Sequence, residues 1–159
     1  VVLEIGCGAG ALTNALAKKA KKVVGYEIDT RLKPVLKDTL SEYKNVEIIF
    51  QDVMKESLEE IEKKLGENYI LVANLPYYIT TPIIMSLLEG GYGFKSITVM
   101  VQKEVADRLA SKAGSQQYGA VTAAISYYAS VKKQFNVGAA NFSPKPKVDS
   151  AVITITPYP

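Results

Sequence analysis

The sequence predicts an α/β domain with a mostly parallel sheet covered by helices on both faces. Three observations carry this expectation. Short apolar runs alternate with helical patterns along the whole chain. The first run, Val1-Val2-Leu3-Glu4-Ile5, leads through a glycine turn into a helical stretch. The next two strand patterns each end in or beside an acid, Glu27 and Asp52.

Taken in order, the first strand is expected near 1–5 and the first helix near 10–20, with Leu12, Ala15 and Leu16 on one face. Between them stands Gly6-Cys7-Gly8-Ala9-Gly10, where glycines let a backbone approach a ligand closely. Cys7 has no base near it in sequence and reads as a small loop residue. The second strand is expected near 22–27. The following helix, near 31–43, places Leu32, Val35, Leu36, Thr39, Leu40 and Tyr43 on the 3.6-residue period. A third strand near 46–51 precedes Asp52 and Val53. Ser57-Leu58-Glu59-Glu60 is a capping box for a helix near 57–65, and Gly66 is its stop. A fourth strand near 69–73 runs into Asn74-Leu75-Pro76-Tyr77-Tyr78. Thr81 followed by Pro82 predicts an N-cap and a helix near 82–89. Gly90-Gly91-Tyr92-Gly93 is a loop, as is Ser111 to Gln117. Strands near 95–101, 131–137 and 149–156 and helices near 103–112 and 118–128 complete the pattern.

At 159 residues, 48% of them hydrophobic, the chain has the size and composition of one globular domain. A net charge of +3 is mild, and Lys18-Lys19, Lys21-Lys22 and Lys132-Lys133 read as solvated faces. The single cysteine excludes an internal disulfide and suits a reducing cytoplasm. With no histidine, Ser-His-Asp and Cys-His catalysis and His-ligated metals are excluded, and no metal is expected. No signal peptide or membrane span is visible, so a cytoplasmic protein is expected. The pattern opens inside a strand without Met and closes at Tyr158-Pro159, as expected of a trimmed domain.

The three strand ends form a set. The spacing Gly6, Gly8, Gly10 is G-x-G-x-G, not the dinucleotide G-x-G-x-x-G, and no phosphate-binding G-x-x-x-x-G-K-[ST] is present. Glu27 can accept both hydroxyl hydrogens of a ribose, and Asp52 can accept from an adenine amine. Together they read as a site for an adenosine-containing cofactor without a phosphate clamp, best matched by S-adenosylmethionine. Asn74-Leu75-Pro76-Tyr77 adds a second chemistry. The Asn74 side-chain oxygen and a nearby carbonyl can accept the two N–H protons of an exocyclic amine. Pro76 fixes the backbone, and the Tyr77 ring can stack on a base drawn from its helix. The same residues also suit an ordinary strand-end turn; the glycine loop favours the amine-binding reading. Phe142-Ser143-Pro144-Lys145-Pro146-Lys147 offers a flat ring, an extended proline-rich backbone and two cations. It reads as a nucleic-acid contact rather than a rigid connector.

These segments, with Met100-Val101-Gln102-Lys103-Glu104-Val105-Ala106-Asp107-Arg108-Leu109 and Val148-Asp149-Ser150, resemble the ribosomal RNA adenine dimethyltransferases, most of all the bacterial small-subunit branch. The resemblance covers essentially the whole chain. It implies a Rossmann-like class I S-adenosylmethionine-dependent methyltransferase with a seven-stranded sheet, mostly parallel, its last strand antiparallel. By that likeness Glu4, Gly6, Gly8 and Gly10 would lie along the methionine part of the cofactor. Glu27 would hold the ribose and Asp52 the adenine amine, with Ile28 and Val53 packed on the adenine. Asn74 would border the cofactor and, with the Pro76 carbonyl, hold the target amine. Tyr77 and Phe142 would sandwich the base, and Lys145 and Lys147 would meet RNA. The implied reaction forms N6,N6-dimethyladenosine at two adjacent sites of small-subunit rRNA within the immature 30S subunit, by a monomer. The family's N-terminal arm and helical C-terminal domain have no counterpart within residues 1–159. The alternatives are the large-subunit enzymes of macrolide resistance, in which a histidine often stands where this chain has Tyr78, and a mainly non-catalytic ribosome-assembly factor.

Overall fold

The computed structural model describes residues 1–75, 77–115, 119–141 and 147–159, apart from the side chains of Tyr77, Tyr78 and Asn141. The strands are β1 (Val2–Ile5), β2 (Val23–Tyr26), β3 (Val46–Ile49), β4 (Tyr69–Ala73), β5 (Phe94–Gln102), β6 (Ala129–Val137) and β7 (Ser150–Pro157). The helices are α1 (Ala11–Lys19), α2 (Lys33–Thr39), α3 (Leu58–Leu65), α4 (Tyr77–Glu89), α5 (Lys103–Leu109) and α6 (Ala120–Tyr128). Seven strands are joined in the order β3-β2-β1-β4-β5-β7-β6. β1 pairs in parallel with β2 and β4, and β2 with β3; β7 runs antiparallel to both β5 and β6. The expected α/β architecture with an antiparallel last strand is therefore present. The chain divides into two compact units, Val1–Asn74 with Gly93–Lys95, and Leu75–Tyr92 with Ser96–Pro159.

In the first unit, β1 and β2 are buried along their whole length, as strands covered on both faces must be. Leu3, Val23, Val24, Ile61 and Tyr69 are fully buried. Gly25 lies within β2 because a Cβ there would come to 2.5 Å from Cys7 Sγ and 2.9 Å from Ile48 Cδ1. At α3 the Ser57 half of the expected capping box is present, its Oγ accepting from the Glu60 N–H at 3.1 Å, and Gly66 ends the helix with φ 73°. The second helix is shorter than its periodicity predicts. Asp29 caps a 3₁₀ turn, Thr30–Leu32, and the α-helix then covers only Lys33–Thr39, with Pro34 in its first turn. Proline lacks an N–H and clashes with the carbonyl four residues back, so it is accommodated only in the first turn of the α-helix, which starts at Lys33. Of the expected apolar face, Val35 and Thr39 are exposed, and the other four residues pack inward. Leu36 and Leu40 form a cluster with Cys7, against which Leu32, Tyr43, Val46, Ile48 and Phe50 pack.

The second unit is built on long antiparallel strands. Ile97, Ile125, Ile153 and Ile155 are fully buried, and a β-bulge interrupts β6 between Lys133 and Phe135. Here α4 corrects the sequence reading: it begins at Tyr77, and Pro82 lies inside it rather than at its start. Thr80, Ile84, Leu87 and Leu88 form a buried stripe at i, i+4, i+7 and i+8, which extends the helix upstream of the proline. Pro82 itself is exposed, so its ring meets solvent. α5 stops at Leu109 instead of 112, because the Arg108 carbonyl accepts from the hydroxyls of Ser111 at 2.6 Å and Thr122 at 2.9 Å. Among the described residues no helix is long and apolar enough to cross a membrane.

Candidate active site

The parallel register of the first unit sets one row of residues across four strands. Ile49 pairs with Tyr26, Tyr26 with Ile5, and Ile5 with Ala73. The residues that follow this row share one sheet edge: Asp52 after β3, Glu27 after β2, Gly6 after β1 and Asn74 after β4. The carboxyl ends of parallel strands are where open α/β sheets bind ligands.

The glycine loop is shaped by positive φ values of 79° at Gly6, 57° at Gly8 and 94° at Gly10. Gly10 N-caps α1, and a Cβ on it would press on Leu36 and Thr39 at 3.0 and 3.2 Å. Beside Gly8 the Cβ direction is open, with nothing within 4 Å. Glu27 fastens this loop to the second strand end: its Oε1 accepts from the Gly8 N–H at 2.8 Å and its Oε2 from the Asp29 N–H at 2.9 Å. Each carboxylate oxygen keeps a second lone pair for a ligand hydroxyl. Ile28, next in sequence, is 68% exposed and offers a bare apolar surface. Val53 is only 3% exposed, so its side chain belongs to the core and leaves little for an adenine to touch. Asp52 N-caps the 3₁₀ turn Val53–Lys55, accepting from the Met54 N–H at 3.0 Å. Asn74 is exposed at the end of β4.

Glu4 lies beneath the loop and is fully buried. Its Oε1 accepts from the Thr13 hydroxyl, while Oε2 has no hydrogen-bond partner among the described residues. Burial pushes this carboxyl above the ordinary carboxylate range, against the lowering effect of the Thr13 and Cys7 hydrogen bonds. Cys7 is buried, and desolvation together with the nearby Glu4 charge drives its thiol well above the ordinary range. It is an inert loop residue, as the sequence suggested.

The other predicted residues stand in the second unit. Tyr77 opens α4. Lys147 is exposed and lines a cleft of about 540 Å³ with Gln102, Lys103, Glu104, Asp107, Val148 and Asp149. Pro76, Phe142 and Lys145 lie outside the described residues, as does the Tyr77 side chain. Thr13, Tyr26 and Glu56 were missed by sequence reasoning. Tyr26 and Thr13 did carry a signal, a polar-tipped residue on an otherwise apolar strand or helix face; Glu56 carried none.

The comparisons with known proteins agree along the whole chain. The family model described as ribosomal RNA adenine dimethylase matches residues 1–159. The ribosomal RNA small subunit methyltransferase A of Shouchella clausii is 56% identical over 158 residues, covering 98% of this chain and 53% of that protein. The chain thus spans about half the length of the curated relatives it matches. A crystal structure of a dimethyladenosine transferase from Plasmodium falciparum superposes with a TM-score of 0.82 at 34% identity, over 99% of this chain and 55% of that one. The 23S rRNA methyltransferase ErmE also gives 0.82, at 30% identity, over 99% and 61%. A family match from the first residue to the last makes this chain a member of the ribosomal RNA adenine dimethylase family.

Proposed function

We propose that this domain transfers methyl groups from S-adenosylmethionine to the N6 amine of adenosines in small-subunit rRNA, giving N6,N6-dimethyladenosine at two adjacent sites during subunit maturation. The observation that carries the reading is the single sheet edge bearing Gly6, Glu27, Asp52 and Asn74. The residues fit the cofactor: open space beside Gly8, a carboxylate at Glu27 with free lone pairs, a bare Ile28 and an acid at Asp52. The small-subunit choice over the large-subunit one rests on identity, 56% to the curated small-subunit relative against 30% to ErmE, since the two structures fit this fold equally well.

Glu27 would hold the ribose hydroxyls and Asp52 the adenine amine. S-adenosylmethionine, when bound, supplies an electrophilic methyl group on a sulfonium. Asn74 and the Pro76 carbonyl would accept the two N–H bonds of the target amine, favouring a tetrahedral nitrogen with a free lone pair. No general base stands in the motif. The chain's contribution is positioning, which can be worth roughly 7–11 kcal/mol in a well-aligned site. After one transfer a single N–H remains, so the pocket must admit a methyl and keep one hydrogen bond. Tyr77 and Phe142 would stack on the base, and Lys145 and Lys147 would meet phosphates.

The test is methylation of immature small subunits and of large-subunit RNA, with product nucleosides identified. Dimethyladenosine in the small subunit alone is expected. Modification confined to large-subunit RNA would replace this reading with the macrolide-resistance one, and tight particle binding without methylation would favour an assembly factor.

A further inference from the structure

We propose that Tyr26, through its hydrogen bond to Glu56, is a positioning residue that holds Asp52 in place relative to Glu27 and so tunes recognition of the cofactor's adenine. The inference rests on the reading that Glu27 and Asp52 hold the cofactor nucleoside.

Tyr26 is the last residue of β2, directly before Glu27. Its ring is 2% exposed, yet its hydroxyl reaches Glu56 Oε2 at 3.1 Å, so a buried aromatic body carries a satisfied polar tip. Its backbone carbonyl accepts from the Gly6 N–H at 2.9 Å. One residue therefore touches the glycine loop through its backbone, adjoins the ribose acid and reaches the third strand end through its side chain.

Glu56 and Asp52 bracket a single 3₁₀ turn, Val53–Lys55. The Asp52 carboxylate accepts from the Met54 N–H at 3.0 Å, and the Glu56 N–H donates to the Val53 carbonyl at 3.1 Å. Only Phe50 and Gln51 separate Asp52 from β3, and the sheet holds this end through the Glu27 N–H, which donates to the Ile49 carbonyl at 3.0 Å. The Tyr26–Glu56 bond is a second tether, at the turn's far end. With both ends fixed, the Asp52 carboxylate is held at one place relative to Glu27; with the near end alone, the turn can pivot. Burial, then Glu56, push the phenol above its ordinary range, so it stays a donor wherever the protein is folded.

A purely structural tyrosine would lower stability and affinity without regard to the ligand's base. A positioning one acts on the adenine amine. The probes are S-adenosylhomocysteine and its analogue with a 6-oxo group in place of the amine, titrated by calorimetry into the full chain. In wild type the amine compound should bind more tightly. Tyr26→Phe and Glu56→Ala should each weaken the amine compound about fivefold, the worth of one modest hydrogen bond, and leave the 6-oxo compound nearly unchanged. Glu56→Gln, which keeps an acceptor for the phenol, should restore the preference. The double variant should be no worse than either single one. Equal losses for both compounds, or unchanged binding in Tyr26→Phe, would overturn the proposal. Asp52→Ala separates the two levels. If it abolishes the amine preference while Tyr26→Phe does not, only the tether fails. If Asp52→Ala leaves the preference intact, the nucleoside reading fails and takes the tether with it.

Discussion

Around the glycine loop of the first unit and on α5 of the second, carboxylates are held in opposite ways. In the first, carboxylates are drawn beneath or against the strand ends: Glu4 is fully buried, and Glu27 accepts backbone N–H groups from two separate segments. In the second, charge lies on the surface and pairs with itself. Asp107 sits between Lys103 at 3.1 Å and Lys133 at 3.0 Å, and Glu104 faces Arg108 at 3.5 Å. A carboxylate held by backbone donors is pre-oriented for a ligand, because its partners cannot swing away. One held by lysine side chains is screened and adaptable. Glu27 is thus held by donors of fixed direction, whereas Asp107 and Glu104 are held by side chains that can rearrange.

The sharpest break in this comparison is at Asn74, the last residue of the first unit's long segment. Asn74→Ala should lower single-turnover methyl transfer by about 10²-fold or more, the scale seen when one polar group is removed from a transition-state site. Cofactor affinity, measured by calorimetry, should stay close to wild type. Near-normal turnover would remove Asn74 from the amine site.

Glu27→Ala should act in the opposite order. It removes an acceptor for the ribose and frees the Gly8 and Asp29 N–H groups together. Affinity for S-adenosylmethionine should fall on the order of tenfold or more. Glu27→Gln, which keeps one acceptor oxygen, should lose less. Unchanged affinity in both would show that the loop tether and the ligand site are separate.

Gly25→Ala probes how closely the first unit is packed beneath its site. The added methyl would sit 2.5 Å from Cys7 Sγ and 2.9 Å from Ile48 Cδ1. The Ile48 contact is with the end of a side chain that can turn, so a loss of about 1 kcal/mol in urea unfolding is expected, the low end for an overpacked core. Because the displaced sulfur belongs to the glycine loop, cofactor affinity should fall as well.

What was legible in the sequence follows from these differences. Strand ends, glycine spacing and the α3 caps are local signals, and each appeared where its residues predicted. Pairs that meet only through packing were not legible: Tyr26 and Glu56 are 30 residues apart, and nothing at either position announces the other. Helix limits failed where tertiary burial or a proline outweighed the local pattern. Thr80 is buried and draws α4 upstream past its apparent cap, whereas Pro34 delays the start of α2; that helix also stops at Thr39 although its apolar period continues to Tyr43. Val53, which the family resemblance sets against the adenine, is 3% exposed, a burial that its local sequence does not announce.

Asp107 carries the smallest expected effect and the clearest contrast. The hydrogen bonds from Lys133 and then Lys103 hold its carboxyl below the ordinary carboxylate range. A carboxyl depressed in the folded state contributes stability above its unfolded value of about 3.9, and that contribution is lost as pH falls through the lower folded value. The pair geometry is exposed, so Asp107→Asn should cost under about 1 kcal/mol at neutral pH. The difference from wild type should shrink in high salt and vanish below the carboxylate range. Thermal unfolding of both proteins at neutral and acid pH, with and without salt, reads this directly. Cofactor affinity should not move, because Asp107 is not among the residues proposed to hold the cofactor. A loss of affinity in Asp107→Asn, at unchanged stability, would mean that Asp107 contributes to cofactor binding, and the contrast between the carboxylates of the glycine loop and those of α5 would have to be abandoned.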